Sequence, residues 1–197
     1  MNELLAQLGR ATNVLLCGQS PGESDDHGTP WSSLLASGNE ESTVLWVTYA
    51  RSPDDCLEVY RESDWKDASL VVVALGTTAE CDTDAENVTV ETISSSSDLT
   101  CLGITISRVL SRREDVVLYF ESVTALLRHV DLETAYPFLH AVTGQLYAAD
   151  GRSQFSLDSS AHDRQTIDGL ASLFDAVVEI DGEATVRSRH ILLEDRE

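Results

Sequence analysis

A glycine-rich turn, Gly-Gln-Ser-Pro-Gly at residues 18–22, is the first place where the chain could do chemistry. It follows an apolar run that predicts a strand from Asn13 to Cys17, and an acidic loop then leads to a predicted helix near Pro30. Backbone N–H groups at a strand-to-helix turn of this kind bind phosphate groups. The turn is therefore a candidate nucleotide site.

The loop that follows departs from a working phosphate loop. The pattern GxxxxGK[ST] supplies a lysine to the β and γ phosphates and a hydroxyl to magnesium. Here the residues after Gly22 are Glu23, Ser24, Asp25 and Asp26. Three carboxylates would repel a triphosphate, so we do not expect ATP hydrolysis by the usual route.

The same turn also matches GxSxG, the nucleophile-elbow pattern of serine hydrolases, with Ser20 at its centre and Asp158, His162 and Asp163 downstream in an acceptable order. That elbow needs a helix directly after the serine, on a strand in the middle of the sheet. Pro21 and an acidic loop follow the first strand instead. A hydrolase remains the remote alternative.

Glu121 and Ser122 end a predicted strand from Asp115 to Phe120. In phosphate-loop enzymes an acid at such a strand end binds magnesium or orients the attacking nucleophile. The alternative is that one of the two residues caps the next helix.

Residues 156–163 form a second polar cluster. Asp163 is expected to be a helix cap. His162 has no second histidine at the spacing of a metal site.

Apolar runs alternate with segments of helical period, which is the pattern of βαβ units and predicts a mainly parallel sheet between two helical layers. Asp181-Gly182 is a hairpin turn signal that predicts an antiparallel pair at the end of the chain. The predicted strands are 13–17, 43–49, 69–75, 88–93, 115–120, 152–157, 176–180 and 184–189. The predicted helices are 2–8, 53–63, one from Asp98, one from Asp131, and 163–174.

The helix from Asp131 carries apolar residues at helical spacing, and Pro137 either kinks it or marks its true start. Its predicted inner face consists of Leu132, Tyr136, Leu139, Val142 and Leu146. The turn-rich stretch 76–97, which contains four consecutive serines, is predicted to be the most flexible region. Residues 1–190 are expected to form one domain, with 191–197 as a frayed tail.

Charge dominates the composition: 34 Asp and Glu residues face 13 Lys and Arg, a formal net charge of −21, and Lys66 is the one lysine. At 42% apolar residues the chain can still bury a core. Repulsion within so acidic a body is costly at low ionic strength and is screened at molar salt, where the Debye length is about 3 Å. We interpret the chain as a halophilic protein.

The same composition excludes several classes. Strong acidity disfavours binding to the phosphate backbone of nucleic acids. Cys17, Cys56, Cys81 and Cys101 have no CxxC or Cys/His spacing, so no zinc site or other metal site is predicted. No apolar run has the length of a signal peptide or membrane span, and we expect a cytoplasmic protein.

Three segments together resemble the KaiC-like branch of RecA ATPases: the strand-loop-helix start, DVVLYFESVTALL in the middle, and AHDRQTIDGLASLFDAVVEIDG near the end. More narrowly, the Ser-x-Thr-x-Leu turn at residues 122–126 is similar to a haloarchaeal group of KaiC-like proteins. The similarity spans roughly Asn13 to Arg189. It implies a three-layer RecA/KaiC-like sheet with a C-terminal antiparallel hairpin.

The resemblance also implies a site. The phosphate cradle would involve Gly18, Gln19, Ser20, Gly22, Gly28, Thr29, Glu121 and Ser122. Glu121 would be the catalytic acid if the protein were active. Without the lysine, the resemblance favours a regulatory or scaffolding protein in signal transduction, with no bound cofactor and with a protein partner or a homo-oligomer as its contact. The alternative is an ATPase that binds ATP and magnesium through Arg128, Arg152 or Arg164.

The charge balance predicts salt-dependent folding. We expect the domain to lose helical circular dichroism on dialysis from 3 M KCl to low salt, because unscreened carboxylates then repel one another. Return to 3 M KCl is the control and should restore the spectrum. An unchanged spectrum at low salt would contradict the halophilic interpretation.

Overall fold

Strands of the chain align into an eight-stranded sheet in the computed structural model, which describes residues 8, 11–18, 42–63, 65–78, 85–181 and 183–188. The order across the sheet is β4-β3-β2-β5-β6-β1-β7-β8, and every neighbouring pair is parallel except β7 with β8. The strands are β1 (Asn13–Gly18), β2 (Thr43–Thr48), β3 (Ser69–Leu75), β4 (Val88–Ile93), β5 (Val116–Glu121), β6 (Arg152–Asp158), β7 (Ala176–Asp181) and β8 (Glu183–Ser188).

Helices connect the parallel strands within the described ranges. They are α1 (Pro53–Glu62), α2 (Leu99–Arg112), α3 (Val123–Leu126), α4 (Leu132–Ala148) and α5 (Arg164–Ala171), with a 3-10 turn at Ser159–Ala161. Ser52, Asp98, Asp131 and Asp163 precede four of these helices, and each side chain accepts a hydrogen bond from the backbone N–H three residues later. The predicted capping role of Asp163 is confirmed.

Apolar residues on both faces of the central strands explain the layering. On β2, Leu45 and Val47 join the core beneath α2 and α4, whereas Val44 and Trp46 join the core beneath α1. Every residue of β2 is buried. A parallel strand that is covered on both faces has apolar residues at almost every position, and β2 (TVLWVT) shows this pattern.

Residues on β1 and β7 form a third apolar cluster on the α1 side of the sheet. Gln154 of β6 lies in register between Val14 and Tyr119, one from each of the two clusters on that side. Its side chain is buried, and its amide atoms have no hydrogen-bond partner among the described residues. The α1 side of the sheet is therefore less uniformly apolar than the opposite side.

The predicted sheet and the C-terminal hairpin are confirmed, with strand bounds within one or two residues of those expected. The prediction of the inner face of α4 was partly wrong. Leu132 and Tyr136 are more than a third exposed, and Ala135 is buried in their place. Pro137 lies inside the helix and does not mark its start. Helix 163–174 is shorter than predicted and ends at Ala171.

Some predictions fall on residues that the structure does not describe. These are the helix near residues 2–8 apart from Leu8, the glycine-rich turn after Gly18, the helix near Pro30 and the tail 191–197. The division of the chain at residue 190 stays a prediction. Among the helices of the described ranges, none combines the length and the apolar character needed to cross a bilayer.

A buried polar network ties the amino-terminal edge of the sheet to α4. The Asn13 side chain accepts a hydrogen bond from the Ser153 hydroxyl at 2.6 Å and donates to the Thr143 carbonyl at 3.4 Å. The carboxylate of Asp175 accepts from the backbone N–H groups of Thr12 and Asn13. These bonds fix where β1 enters between β6 and β7.

Asn13→Ala is expected to lower the free energy of unfolding by about 1–3 kcal/mol, because it leaves the buried Ser153 hydroxyl without its acceptor. Urea unfolding in 3 M KCl measures the change. Asn13→Ala with Ser153→Ala should cost less than the sum of the two single changes, since they share one bond. Strict additivity of the three variants would show that this bond does not stabilise the fold.

Candidate functional site

The carboxyl ends of the parallel strands bring polar residues to one edge of the sheet. Gly18 of β1 lies in register with Asp158 of β6, and Thr48 of β2 lies in register with Glu121 of β5. Ligands of open parallel sheets bind beyond this edge. It is therefore the candidate functional site.

Glu121 is held by two donors on its β2 side. The Nε of Arg51 lies 3.1 and 3.2 Å from the two carboxylate oxygens, and the indole Nε1 of Trp46 donates to Oε2 at 3.1 Å. The side chain of Glu121 is 17% exposed and that of Arg51 is 34% exposed. The carboxylate is thus oriented towards β2 and neutralised by a guanidinium.

The turn after β2 explains the position of Arg51. The buried Thr48 hydroxyl accepts hydrogen bonds from the backbone N–H groups of Ala50 and Arg51, which bends the chain directly after the strand. Ser52 and Pro53 then start α1. Arg51 is consequently fixed between two regular elements and faces the end of the neighbouring strand β5.

Burial and charge act together on this cluster. Burial works to lower the pKa of the Arg51 guanidinium, but the charge and hydrogen bonds of Glu121 outweigh it, so the pKa lies above its ordinary value. Burial, followed by the charge of Glu121, raises the pKa of the Cys56 thiol to about 12 and raises the pKa of the Tyr119 hydroxyl. Arg51 is cationic and these two neighbours are neutral at pH 7.

The Ser-x-Thr-x-Leu turn has a structural role at each of its three positions. The Ser122 hydroxyl caps α3 by accepting from the backbone N–H of Ala125 at 3.1 Å. Thr124 Oγ1 accepts from the backbone N–H of Asp158 at 2.9 Å, and Leu126 is fully buried. The motif therefore anchors the end of β5 to the end of β6.

The second polar cluster is also engaged internally. His162 Nε2 lies 3.0 Å from Thr124 Oγ1, and the Asp158 carboxylate accepts from the Ser160 backbone and hydroxyl. Asp163 caps α5. Ser20, the nucleophile of the hydrolase alternative, lies outside the described residues, so its distance from His162 is not part of this geometry.

Of the predicted phosphate-site residues, the structure describes Gly18, Glu121 and Ser122. Strand β6 lies between β1 and β5, so the backbones of Gly18 and Glu121 are separated by two strand spacings, roughly 10 Å. The cradle residues Gln19, Ser20, Gly22, Gly28 and Thr29 fall in the part of the chain that is not described. Their role as a phosphate cradle stays a prediction.

The three arginines expected as substitutes for the missing lysine lie apart. Arg152 starts β6 and pairs with Asp115 at the amino-terminal edge, roughly 20 Å of strand away from Asp158, and cannot serve the carboxyl edge. Arg164 pairs with Asp168 on the surface of α5. Arg128 follows α3, next to His129, whose ring stacks on Tyr49 at the end of β2.

Two of the four cysteines are buried, as small apolar residues would be. Burial raises the pKa of the Cys17 thiol to about 11, against a smaller opposing effect of Arg187. Cys17 and Cys56 are free thiols, and Cys101 is exposed on α2. Cys81 lies outside the described residues.

Sequence reasoning missed Arg51 and Trp46 as partners of Glu121. The signal was an arginine two residues after the end of an apolar strand, directly before a Ser-Pro helix start. Its meaning depends on β2 and β5 being neighbours in the sheet. Strand order is not readable from the apolar pattern of one chain.

Several solved structures share this fold. An uncharacterised protein from Pyrococcus horikoshii, PH0321, crystallised in complex with an unknown peptide, has 13% identity and a TM-score of 0.61, with 96% of this chain and 89% of that chain covered. The protein PH0250 of Pyrococcus horikoshii OT3 has 12% identity and a TM-score of 0.55 over 94% and 91% of the two chains.

The flagellar accessory protein FlaH of Methanocaldococcus jannaschii has 8% identity and a TM-score of 0.56, with 93% of this chain and 81% of that chain covered. At these identities the likeness shows the fold alone. The predicted RecA-like architecture is confirmed by these neighbours together with the strand order.

No curated protein matches the sequence. A family model does match residues 11–180, which include every strand from β1 to β6 and almost all of β7. The chain belongs to the family of unknown function DUF7504.

Proposed function

We propose that this protein is a RecA/KaiC-like regulatory or scaffolding domain of a halophile that acts through protein contacts, without phosphoryl transfer. Signal transduction is the process that we assign to it. The fold supplies the frame in which related sheets carry chemistry at the carboxyl edge. In this chain Glu121, the candidate catalytic acid at that edge, forms an ion pair with Arg51 of the same chain.

The ion pair of Glu121 with Arg51 is the observation that carries the proposal. A carboxylate that serves magnesium or an attacking water must offer free lone pairs to them. Both oxygens of Glu121 already accept from Arg51, and one accepts from Trp46 as well. A metal ion or water at Glu121 would compete with the guanidinium for this partly buried carboxylate and weaken the ion pair, which is unfavourable.

The loop after Gly18 supports the same conclusion from its sequence. Glu23, Asp25 and Asp26 occupy the place where a phosphate loop has its lysine. Phosphoryl transfer depends on fixed positive charge around the transferred group. A loop with three carboxylates provides the opposite charge. One structural neighbour was crystallised with a peptide, which accords with protein contacts as the working mode.

A second candidate is an ATPase that uses arginine in place of the loop lysine, and the position of Arg51 favours it. Arg51 lies at the carboxyl edge beside the candidate acid, and a guanidinium binds phosphate in bidentate fashion. In that case ATP would displace Glu121 from Arg51. Strand β2 is three positions from β1 in the sheet, roughly 14 Å, so Arg51 is remote from the loop after Gly18.

Titration with ATP and magnesium in 3 M KCl separates the two candidates. A ligand present at 100 times its Kd stabilises the folded state by about 2.7 kcal/mol and raises the Tm by several degrees. We expect no rise at millimolar ATP and no phosphate release above background. ATP turnover that Glu121→Gln abolishes and Glu91→Gln does not would overturn the proposal. Glu91 is a matched control because it is also paired with an arginine, Arg108.

Arg51→Met addresses the second candidate directly. It removes the cation, keeps an unbranched apolar stem and leaves Glu121 with its Trp46 donor. If Arg51 binds phosphate, this variant loses an ATP-dependent rise in Tm that the parent shows. We expect parent and variant to be equally insensitive to ATP, with the variant less stable because Glu121 has lost its counter-charge.

A further inference from the structure

The two helical layers differ sharply in charge. The exposed side of α1 carries Asp54, Asp55, Glu58 and Glu62, as expected for so acidic a chain. On the opposite side of the sheet, α2 and α4 together contain one acidic residue, Glu133, in the first turn of α4. Among the described residues, the acidic surface is therefore interrupted over these two helices.

The outer side of α4 is uncharged from its second turn onwards. Pro137, Ala141, Gly144 and Ala148 follow one another at helical spacing and are exposed. Tyr147 beside them is 74% exposed, although it is one of the largest apolar side chains in the protein. A surface helix normally places charged and polar residues on this side. Solvation alone does not explain the choice of residues here.

Helix α2 extends the same face. Its Gly103 lies 3.7 Å, measured from an ideal Cβ position, from the Phe138 ring of α4, and its Ser107 hydroxyl bonds to Gln145 at 2.8 Å. The two helices thus lie side by side. Ile104 of α2 is 64% exposed, and the outward positions Thr100 and Ser111 are also exposed and uncharged. The charged residues of α2 are Arg108, which pairs with Glu91, and the exposed Arg112.

We refer to the outer positions of these two helices as the uncharged face: Thr100, Ile104, Ser111, Ala141, Gly144 and Tyr147. Helix α4 is about 25 Å long at 1.5 Å per residue. Two neighbouring helices about 10 Å apart then present roughly 500 Å². Two such faces in contact would bury about 1,000 Å² in total, at the lower end of specific interfaces.

We propose that the uncharged face binds the same face of a second copy of this chain, forming a weak symmetric dimer. Two bodies that each carry −21 repel each other wherever carboxylates meet, and like charges placed opposite each other cost several kcal/mol. The uncharged face paired with itself brings carboxylates together only at its ends, where Glu133 and the flanking Asp98, Asp131 and Asp150 lie. A symmetric contact of this kind is the commonest mode of protein self-association.

The inference deepens the proposed scaffolding function by naming one partner. The dimer can be disproved without disproving the proposed function, because the test of the dimer measures molecular mass. The test of the proposed function measures nucleotide binding. Salt is expected to strengthen the dimer, since it screens the repulsion between the acidic remainders of the two copies. The contact should therefore be strongest under the conditions in which the chain is expected to fold.

Sedimentation equilibrium in 3 M KCl, from about 1 to 500 µM protein, tests the proposal. The parent should show a monomer–dimer equilibrium within this concentration range, as expected of a weak contact of small area. Ile104→Asp and Tyr147→Asp, one on each helix, should each weaken it at least about 100-fold, because each would bury an unpaired carboxylate in the contact. Gln165→Asp is the matched control, since it adds the same charge at an exposed position of α5.

Circular dichroism and Tm of each variant verify that the fold is kept, and both positions are exposed enough to tolerate the change. A parent that stays monomeric throughout overturns the proposal. So does a dimer that survives both Asp variants, because it must use another surface. Equal loss of the dimer in Gln165→Asp would attribute the effect to net charge and would also overturn it.

Discussion

A parallel sheet must be covered on both faces, and this constraint shapes the whole molecule. The central strands carry apolar residues on both sides, so α1 closes one layer while α2, α4 and α5 close the other. In the described part of the chain, charged residues thereby lie on the outer sides of the helices, at strand ends and on the outer strands β4, β7 and β8. The carboxyl edge of the sheet and the uncharged face are the places where function is expected.

The carboxyl edge illustrates how a fold can persist while its chemistry changes. The Thr48 hydroxyl accepts a hydrogen bond within the turn after β2, and this turn positions Arg51. The Glu121 carboxylate then accepts hydrogen bonds from Arg51 and Trp46. None of these contacts depends on a ligand. On the β2 side of the edge, the charge of Glu121 is balanced by Arg51. The Ser122 hydroxyl accepts a hydrogen bond from the first turn of α3, and the Thr124 hydroxyl accepts one from the end of β6.

The sequence allowed the strands and helix caps to be predicted because apolar period and capping chemistry are local. The error in α4 has a local cause as well: Tyr136 and Leu132 are apolar, but small Ala135 fits against the sheet and the larger side chains remain outside. The partners of Glu121 could not be predicted, since Trp46 and Arg51 lie 70 or more residues away and meet it only through strand order. The net charge of the chain does not show how the carboxylates are divided between the helices, so it does not predict the uncharged face.

The position of β1 between β6 and β7 sets the timing of folding. Asn13 contacts Ser153, 140 residues later, and at 5–20 residues per second a ribosome needs roughly 7–30 s to add that length. Until then the first strand has neither of its neighbours. Strands β2, β3 and β4 can pair among themselves much earlier. Synthesis therefore passes through a stage in which the amino-terminal strand, apolar along its length, must be kept from pairing with other chains.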